Sequence, residues 1–378
     1  MIPEAPQFVM SDDYIEAIAW DRFLGERPDI HTEQTTVWGR LRGNYGWRPT
    51  WVWAKRGGKI CGGAMILTRP LGPFATIGYV ERGPVWNRHD PQSLGLSTEA
   101  VCRFARSRSL TYLVVAPPYD GEEISATLQA MHFHRKPESL PPTGVGRATL
   151  LIDLQPDLDM ILASMSMTKR QNIRRGLRKG VKVRIGNGED VETVRMLMWQ
   201  SCQRRGIAPS PPQKDYFDKL WRLLGPTGGV KFLIAEVLGE PVSAACVLLS
   251  RSSMQLWRVG WSGKHDDCDP NDVLHWEAIK WAKENGYSQF DFMHIRPDHA
   301  HAILSGYQVR DSYSGVTDYK MGFGGQLRLL PELYYRSFHP IVQSVLRLGG
   351  ARALGSEASA KLISRIARLQ RASAGQSL

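Results

Sequence analysis

The sequence lacks the features that would place it in a membrane or in an oxidising compartment. No apolar run approaches the ~18 residues that a membrane span needs, and the N-terminal stretch has no basic patch followed by an apolar core. The cysteines are odd in number, far apart and without a C-x-x-C pair, so neither a disulfide framework nor a zinc ribbon is indicated. We therefore expect a soluble, cytoplasmic protein.

Several catalytic signatures are also missing. The chain has no G-x-x-x-x-G-K-[ST] phosphate loop and no G-x-S-x-G motif, so nucleotide hydrolysis is not supported. The segment HIRPDHAH brings His294, His299 and His301 together, but its spacing matches neither H-x-x-x-H nor a zinc finger. We interpret it as a polar loop, and we predict no metal site and no bound cofactor.

Acidic residues are fewer than basic ones. The chain has 48 lysines and arginines against 37 aspartates and glutamates, a net charge of +11. This balance favours an anionic partner, which is nucleic acid, a phosphorylated substrate or a membrane surface; a general richness in arginine is the alternative. KLISRIARL near the C-terminus reads as a packed terminal helix, with peripheral membrane contact as the other interpretation.

The shortage of acid is most marked from Met160 to Gly188, where there is none. Within it, Leu158 to Gly180 is predicted to form one helix that buries Ile161, Met165, Ile173 and Leu177. Its other faces carry Lys169, Arg170, Arg174, Arg175, Arg178 and Lys179. Because unpaired like charges repel, we favour a phosphate partner over a solvated face. Aromatic residues are not interleaved here, so the contact would be to a nucleic-acid backbone and not to bases.

An internal repeat is the clearest feature that is present. TWVWAKRGGKICGGAMIL (50–67) and KFLIAEVLGEPVSAACVLL (231–249) both read as two strands joined by a turn, at Gly58 and Gly239. Each copy continues with more strand, an Asp-Pro pair, a helix and a buried strand. The copies lie ~180 residues apart, which fits duplicated domains. We predict an α+β fold.

The 378 residues and 42% apolar content suit two domains. A linker-like stretch at 137–148 divides a first domain, residues 1–149, from a second, residues 150–329. The segment 330–378 is predicted to be helical after Pro331 and to pack back on the first domain. The second half contains no long charged segment with a heptad repeat, so we predict no coiled-coil insertion. A monomer is favoured, and the oligomeric state stays open.

The two-copy plan resembles the acetyltransferase fold called GNAT. In those enzymes a glycine-rich loop before a helix offers N–H groups to the pyrophosphate of acetyl-CoA. The corresponding loops here read ERGPVWNRHDPQ and GWSGKHDDCDPN. Neither has the Q/R-x-x-G-x-G/A signature, and the second carries three aspartates where a diphosphate would sit. Coenzyme A is therefore disfavoured.

Four motifs in order extend the resemblance over most of the chain: TKRQNIRRGLRKGVKV, CQRRGI, NDVLHWEAIKWAKENGYSQFDF and GVTDYKMGFGG. They resemble the FemABX family of aminoacyl-tRNA-dependent transferases, which build peptidoglycan cross-bridges, together with relatives in natural-product pathways. The last motif is similar to the family's G-[LV]-x-x-[FY]-K-x-x-F-G. Family members without the coiled-coil arm consist of two tandem GNAT-like domains, so the resemblance implies that fold here.

The resemblance also implies a reaction, in which an amine acceptor attacks the ester carbonyl of an aminoacyl-tRNA co-substrate. The ester is already activated, so no ATP is needed. Lys320, with Tyr319, is the candidate for stabilising the tetrahedral oxyanion, a contribution of ~3–4 kcal/mol for one well-aimed donor. We expect a strand at Tyr319 and the glycine turn at 322–325 to hold it. Neutralisation of Asp318 or Asp291 is the alternative role.

The family's acceptor-holding positions match Arg204 and either Arg40 or Arg42, and we assign Trp257 and Asn271 to the same task. The implied acceptor is an amine, phosphorylated if it is a UDP- or lipid-linked muropeptide, and the basic helix would bind tRNA.

The sequence departs from the family pattern at Ala116, where relatives carry an aspartate that Asp120 would have to replace. His294 and Asp291 are the candidates for a general base. The rival hypotheses are an acyl-CoA transferase and a non-catalytic binder of nucleic acid or anionic membranes.

Overall fold

The computed structural model describes residues 5–27, 30–70, 75–136, 144–311 and 314–339. They form two compact units. The second unit comprises residues 146–330 together with the short stretch 28–32, and the first unit comprises the rest of the chain. The predicted divisions were at 149 and 329.

The first unit contains a mixed sheet with helices. Its strands before the return are β1 (Gln7–Ser11), β2 (Arg48–Arg56), β3 (Lys59–Pro70), β4 (Thr76–Val80), β5 (Val85–Trp86), β6 (Tyr112–Val115) and β7 (His134–Arg135). Its helices are α1 (Ile18–Gly25), α2 (Thr36–Gly43), α3 (Ser93–Ser107) and α4 (Ile124–Ala130). The predicted hairpin is β2–β3, and α3 packs so closely on it that a Cβ at Gly62 would lie 1.9 Å from Ser97 Oγ.

The second unit repeats this plan. Its strands are β8 (Ala148–Asp153), β9 (Lys182–Gly186), β10 (Val230–Val237), β11 (Glu240–Leu249), β12 (Ser253–Trp261), β13 (Gln289–Asp291) and β14 (Gln326–Leu329), in the sheet order β14-β8-β13-β12-β11-β10-β9. Its helices are α5 (Leu158–Ser164), α6 (Met167–Arg178), α7 (Val191–Arg204), α8 (Tyr216–Leu224), α9 (Pro270–Glu284), α10 (Pro297–Leu304) and α11 (Ser314–Met321).

The two hairpins agree in detail. In β2–β3 the register skips Cys61, and in β10–β11 it skips Val242. Each bulge therefore falls at the same place relative to the matched alanines, Ala54 and Ala235. A bulge bends and twists a strand locally, so the repeat extends to the curvature of the sheet. The α+β prediction with two copies of one plan is confirmed.

The final described strand, β15 (Tyr334–Arg336), belongs to the first unit. It lies between β6 and β7 and pairs antiparallel with both. The prediction of helix directly after Pro331 is therefore wrong for these residues, because a place between two open strand edges offers backbone hydrogen bonds that helical propensity cannot match. Residues 340–378, including KLISRIARL, lie outside the described part of the chain.

The predicted single basic helix is two helices. Met165 and Ser166 are extended, and the Ser166 hydroxyl accepts a hydrogen bond from Lys169 N at 3.3 Å to begin α6. Serine favours this capping role over a helix interior. Ile161, Met165 and Ile173 are buried as predicted, whereas Leu177 is exposed.

None of the helices in the described ranges has both the length and the apolar content that a membrane crossing requires.

Candidate functional site

The second unit contains an opening between two parallel strands. β12 and β13 pair only from Ser253 with Gln289 to Gln255 with Asp291. β12 then continues to Trp261, while the chain after β13 stays with β8 through Phe292 N to Leu150 O (3.0 Å) and Ile295 N to Ala148 O (2.9 Å). The two strands therefore separate, and the backbone edges that face each other across the opening are not paired in a ladder.

The segment that follows β13 has an unusual backbone. Met293 and His294 have φ of 50° and 45°, in the left-handed region that costs a residue with a side chain of order 1–2 kcal/mol. Strain of this kind persists only where the surroundings hold it, and it gathers at functional sites. Other groups of the unit must therefore fix this segment.

Lys320 holds it from α11. Its ammonium donates hydrogen bonds to three successive carbonyls, Phe292 O at 3.1 Å, Met293 O at 2.6 Å and His294 O at 3.2 Å. An ammonium group has three N–H donors, so all three are engaged. The sequence motif that singled out Lys320 thus places a lysine at the point where the strands part.

The charge on Lys320 is under opposing influences. Burial lowers the pKa of its ammonium to about 8, with the Asp291 carboxylate acting to raise it and Arg205 to lower it further. Asp291 is fully buried and accepts hydrogen bonds from Thr149 Oγ1 and from Met293 N, the latter at 2.7 Å. Lys320 is therefore a half-buried cation whose nearest hydrogen-bond partners are neutral.

Tyr319 precedes Lys320 on α11, so the predicted strand at this position is wrong. The tyrosine is half-buried and packs against Phe323, and its hydroxyl lies 2.9 Å from His275 Nδ1. Burial raises the pKa of Tyr319 well above its ordinary value and lowers that of His275 to about 3, so both groups are neutral. Their hydrogen bond fixes α11 against α9, and through it the position of Lys320.

A buried ion pair completes this contact. Lys169 Nζ lies 2.7 Å from Asp272 Oδ1 and 3.3 Å from the centre of the Tyr319 ring. Asn172 donates to the other carboxylate oxygen of Asp272 at 2.6 Å. Burial lowers the pKa of Lys169, and Asp272 opposes the change. The expectation that Lys169 lies on an exposed face is wrong, because its charge is neutralised inside the unit.

The other charges of α6 are also partly neutralised. Arg175 Nε pairs with Asp269 and Lys179 Nζ with Asp267, each at 2.6 Å. The expectation of unpaired charge is therefore wrong for these two, because the aspartates of the loop before α9 face the helix. Arg170 donates to Ala163 O and Arg178 to Arg174 O. Within the described ranges, Arg170, Arg174 and Arg178 have no carboxylate in ion-pair distance.

The ion pairs hold α6 against the beginning of α9. The helices approach so closely at Gly176 that a Cβ there would lie 2.5 Å from Val273 Cγ2 of α9. Side-chain carboxylates therefore occupy the surroundings of the α9 N-terminus, where a GNAT enzyme would bind a diphosphate.

Two family models match this chain. The model described as "FemAB family" matches residues 15–238, and the model of the acetyltransferase (GNAT) domain matches residues 167–321. The chain belongs to the FemAB family. The predicted family resemblance is thereby confirmed.

Curated relatives of this FemAB-family chain are bacterial. It is 23% identical over 232 residues to the lipid II:glycine glycyltransferase of Staphylococcus saprophyticus, across 59% of this chain and 55% of the relative. It is 23% identical over 225 residues to the enzyme of that name from Staphylococcus aureus, across 57% and 53%. The chain thus spans about half the length of the curated relatives it matches.

Solved structures show the same fold. The crystal structure of FemX superposes with a TM-score of 0.76 at 16% identity, covering 91% of this chain and 99% of that one. A tandem GNAT protein from the clavulanic acid biosynthesis pathway gives 0.53 at 12% identity, covering 89% and 99%. The predicted fold of two tandem GNAT-like domains is confirmed.

The predicted acceptor residues of the second unit lie around β12. Arg204 ends α7 and covers the Trp261 ring at 4.8 Å, and burial lowers the pKa of its guanidinium, as does Arg205. Trp257 is the bulged residue of β12 and stacks on Tyr216, with ring centres 5.8 Å apart.

Asn271, also assigned to the acceptor, has a structural contact. Its Oδ1 accepts a hydrogen bond from Ser243 Oγ at 2.6 Å, which ties the first turn of α9 to β11.

Arg40 and Arg42 belong to the first unit. Arg42 Nη2 lies 3.3 Å from Glu81 Oε1 and its guanidinium covers the Trp47 ring at 5.3 Å. The Arg40 guanidinium lies 5.6 Å from the centre of the Tyr14 ring. Both are held by aromatic faces, and their assignment to the acceptor stays a prediction.

The histidine-rich segment is not a simple polar loop, because Pro297 begins α10. His299 is buried, with Nδ1 2.8 Å from Thr317 Oγ1 and Nε2 2.9 Å from Asp311 Oδ2. These bonds attach α10 to α11.

A different group of potential metal ligands lies in the loop before α9. His265, Asp267 and Cys268 bring three potential ligand atoms within 4.8 Å of one another, but Asp267 is already paired with Lys179.

The remaining candidates have identifiable surroundings. Ala116 is buried just after β6, and Asp120 O accepts a hydrogen bond from Arg88 Nη2 at 3.2 Å. Of the proposed general bases, Asp291 is buried and hydrogen-bonded, and the His294 carbonyl faces Lys320. Neither is thereby assigned a catalytic role.

The sequence reasoning missed Asp272, His275 and Arg258. The signal for Asp272 was present, since an acid-rich loop and an acid-free helix in one domain are natural partners. His275 and Arg258 carried no local signal, because only the packing of α9 and the bulge of β12 makes them notable.

Proposed function

We propose that this FemAB-family chain is an aminoacyltransferase that forms an amide between the amino acid of an aminoacyl-tRNA and an amine acceptor. The proposed acceptor is a peptidoglycan precursor linked to a lipid or to UDP, and a small amine of a natural-product pathway is the other member of this class. The relatives named lipid II:glycine glycyltransferases support the reaction class and a lipid-linked acceptor.

The single observation that carries the proposal is the position of Lys320. A half-buried ammonium is anchored at the opening between β12 and β13, on backbone with left-handed φ at Met293 and His294. Of its three contacts, the one to His294 O is the longest, at 3.2 Å, and the most exposed. A developing oxyanion would take the place of that carbonyl while the other two hold the ammonium in position.

The chemistry needs few protein groups. The neutral acceptor amine attacks the ester carbonyl, a C–N bond forms, and the carbonyl oxygen becomes an oxyanion beside Lys320. Collapse of this intermediate breaks the ester C–O bond, and the terminal ribose oxygen of the tRNA leaves with a proton that originates from the amine. The ester supplies the driving force, so the reaction requires no ATP.

The surroundings of α9 support an ester donor over a thioester of coenzyme A. Asp267, Asp269 and Asp272 lie at or before its first turn and pair with Lys179, Arg175 and Lys169. A diphosphate would have to displace these ion pairs and then face three carboxylates. Acyl-CoA transfer is therefore not our proposal.

Transfer from charged tRNA tests the proposal directly. Purified protein is incubated with bulk aminoacyl-tRNA and a panel of amines that includes lipid II and UDP-linked muropeptides, and new amides are identified by mass spectrometry. We expect an amide whose formation requires the charged tRNA and stops after ribonuclease treatment. Transfer that proceeds equally from free amino acid with ATP, or from acetyl-CoA, would disprove the proposed donor.

A further inference from the structure

Arg258 differs from the cations of α6 in its partners. Its Nε donates to Ser210 O at 2.6 Å and its Nη1 to Trp257 O at 2.7 Å. In the part of the chain that the structure describes, no carboxylate lies within ion-pair distance of it. Arg258 is thus a cation held by neutral carbonyls, in a unit that pairs Lys169, Arg175 and Lys179 with aspartates.

The guanidinium is also partly withdrawn from water. It lies over the Trp257 ring at 4.3 Å, and Trp257 stacks in turn on Tyr216. On β12 it stands opposite the fully buried Cys246. Burial lowers the pKa of Arg258, and the titratable neighbours that oppose this are Tyr216, Cys246 and Cys202. A desolvated cation without a counter-charge is unfavourable, so an anion that reaches it would relieve a cost already present in the fold.

The donors that remain are suitably arranged. Nε and Nη1 are engaged by carbonyls, while Nη2 has no protein partner among the described residues and is not sealed from solvent. A guanidinium presents its N–H groups in a rigid plane. The carbonyl of Ser210 and the ring of Trp257 fix that plane, which leaves the outer N–H groups oriented in advance.

The location connects Arg258 with the opening. It lies on β12 just beyond Gln255, the last residue to pair with β13. The loop that it holds at Ser210 begins after α7 with Arg205, whose charge reaches Lys320. The same strand end and the same loop therefore border both Arg258 and the proposed catalytic lysine.

We propose that Arg258 binds a carboxylate of the acceptor substrate and so selects acceptors that carry one. A carboxylate is planar and accepts two parallel hydrogen bonds from a guanidinium. It also brings a single negative charge, which matches one cation in a wall of aromatic and thiol groups, whereas a phosphate dianion would leave excess charge there. That the carboxylate belongs to an acceptor rests on the proposed function, whereas the binding of a carboxylate does not.

The first test measures binding alone. Protein with 15N-labelled arginine is titrated with N-acetylglycine, with the neutral N-acetylglycinamide and with inorganic phosphate. The Arg258 side-chain signal is assigned by its loss in Arg258→Lys. We expect N-acetylglycine to shift the Arg258 signal and the amide to leave it unchanged. The internal control is Arg222, an exposed arginine on α8 that pairs with Asp218, whose signal we expect to stay constant.

Three results would overturn the inference. They are no shift with the carboxylate, an equal shift with the amide, and a tighter response to phosphate than to the carboxylate. A positive result would stand even if no transfer from tRNA were ever observed.

The second test uses transfer, with acceptors that differ only in a carboxylate or a carboxamide. We expect Arg258→Met to lower kcat/KM about tenfold or more for the carboxylate acceptor, with the amide acceptor and the control Arg222→Met unchanged. An equal loss with both acceptors, together with a lowered melting temperature, would show that Arg258 only supports the loop. Transfer with an unaltered preference would refute the selection while leaving the proposed reaction in place.

Discussion

In the first unit the chain after β6 stays joined to the chain after β4 beyond their paired residues, whereas in the second unit β12 continues past its last pair with β13, Gln255 with Asp291. Beyond β6, Ala116 N still donates to Val80 O at 2.9 Å, and Gly83 N to Ala116 O at 3.0 Å. The first unit therefore satisfies its backbone groups within the sheet. The second leaves three carbonyls to Lys320.

The helix that follows each Asp-Pro pair shows a second difference. Asp90 pairs with Arg56 at 2.7 Å, and Asp269 pairs with Arg175 at 2.6 Å, so each copy neutralises the matching aspartate with an arginine. The second copy adds a buried pair, Lys169 with Asp272, at the first turn of its helix. The second unit thus combines the open strand pair with a buried ion pair that contacts Tyr319, the neighbour of Lys320.

The largest effect we expect concerns this buried pair. Lys169→Met should lower the free energy of unfolding by about 3–5 kcal/mol, because Asp272 would remain buried without its counter-charge. Urea unfolding measures the loss. The double variant Lys169→Met/Asp272→Asn should lose less than the single one, and Arg56→Met in the first unit should cost at most about 1 kcal/mol, since that arginine is exposed. If Lys169→Met lowered the free energy of unfolding less than the double variant or Arg56→Met does, the buried pair would not distinguish the second unit from the first.

Lys320→Met is expected to reduce the transfer rate by about 10²–10³-fold, the effect of removing one oxyanion donor. The measurement is kcat with charged tRNA and acceptor in excess. Lys264→Met, which removes an exposed lysine paired with Glu240, is the matched control and should keep full activity. Circular dichroism should show both variants folded. Activity within threefold of the parent would remove Lys320 from the mechanism.

A substitution in the first unit, where the strands do not separate, should change the free energy of unfolding and not the transfer rate. Glu81 is buried just after β4, where its carboxylate accepts from Trp38 Nε1 at 2.8 Å and faces Arg42. Glu81→Gln should lower the free energy of unfolding by about 1–3 kcal/mol, because the charge-assisted contacts weaken. Transfer at saturating acceptor should be unchanged. A loss of kcat without a loss of stability would mean that the first unit takes part in the chemistry.

The pH dependence gives the role of Lys320 a sign. If the ammonium form is the working one, kcat should fall about tenfold per unit above pH 8, the pKa to which burial lowers Lys320. If the neutral amine were a general base, kcat would rise through the same range.

The same pKa predicts how stability depends on pH. The folded pKa of Lys320 lies below the ordinary 10.5, so the unfolded state binds more protons between these values, and the free energy of unfolding should increase from about pH 8 to 10.5.

The smallest effect separates the paired from the unpaired cations of α6. Neutralising Arg174 and Arg178 should lower the slope of log affinity for tRNA against log salt by about 1 for each phosphate that the helix no longer neutralises. Neutralising Arg175 and Lys179, which already pair with aspartates, is the control and should change the slope less. Equal changes in the slope would show that the internal ion pairs open on binding. No change in either would remove tRNA from this surface.

The fold was largely predictable from local pattern, and the site was not. Alternating apolar residues around Gly58 and Gly239, and the helices after the two Asp-Pro pairs, describe their elements without distant information. Three-residue strands such as β15 are defined by their neighbours in the sheet, so no local pattern indicates them. The break of the basic helix was encoded by Ser166, a capping residue that the hydrophobic stripe concealed.

The candidate site shows the same division. The motif around Lys320 marked the residue, but its secondary structure and its three carbonyl partners depend on backbone that lies about 27 positions earlier. The charges of α6 could be counted in the sequence, yet their partners arrive from the loop before α9. Arg258 is distinguished by having no carboxylate within ion-pair distance among the described residues, and this can be known only from the folded structure.

The place of β15 has a consequence for biosynthesis. β7 is attached to its sheet through β15, which the ribosome makes only after the whole second unit. When the first unit emerges, its sheet therefore has β6 as an uncovered edge, and β7 has no strand to pair with. Since a domain folds as a unit and so needs all of its strands, we expect the second unit to become compact before residues 334–336 complete the sheet of the first.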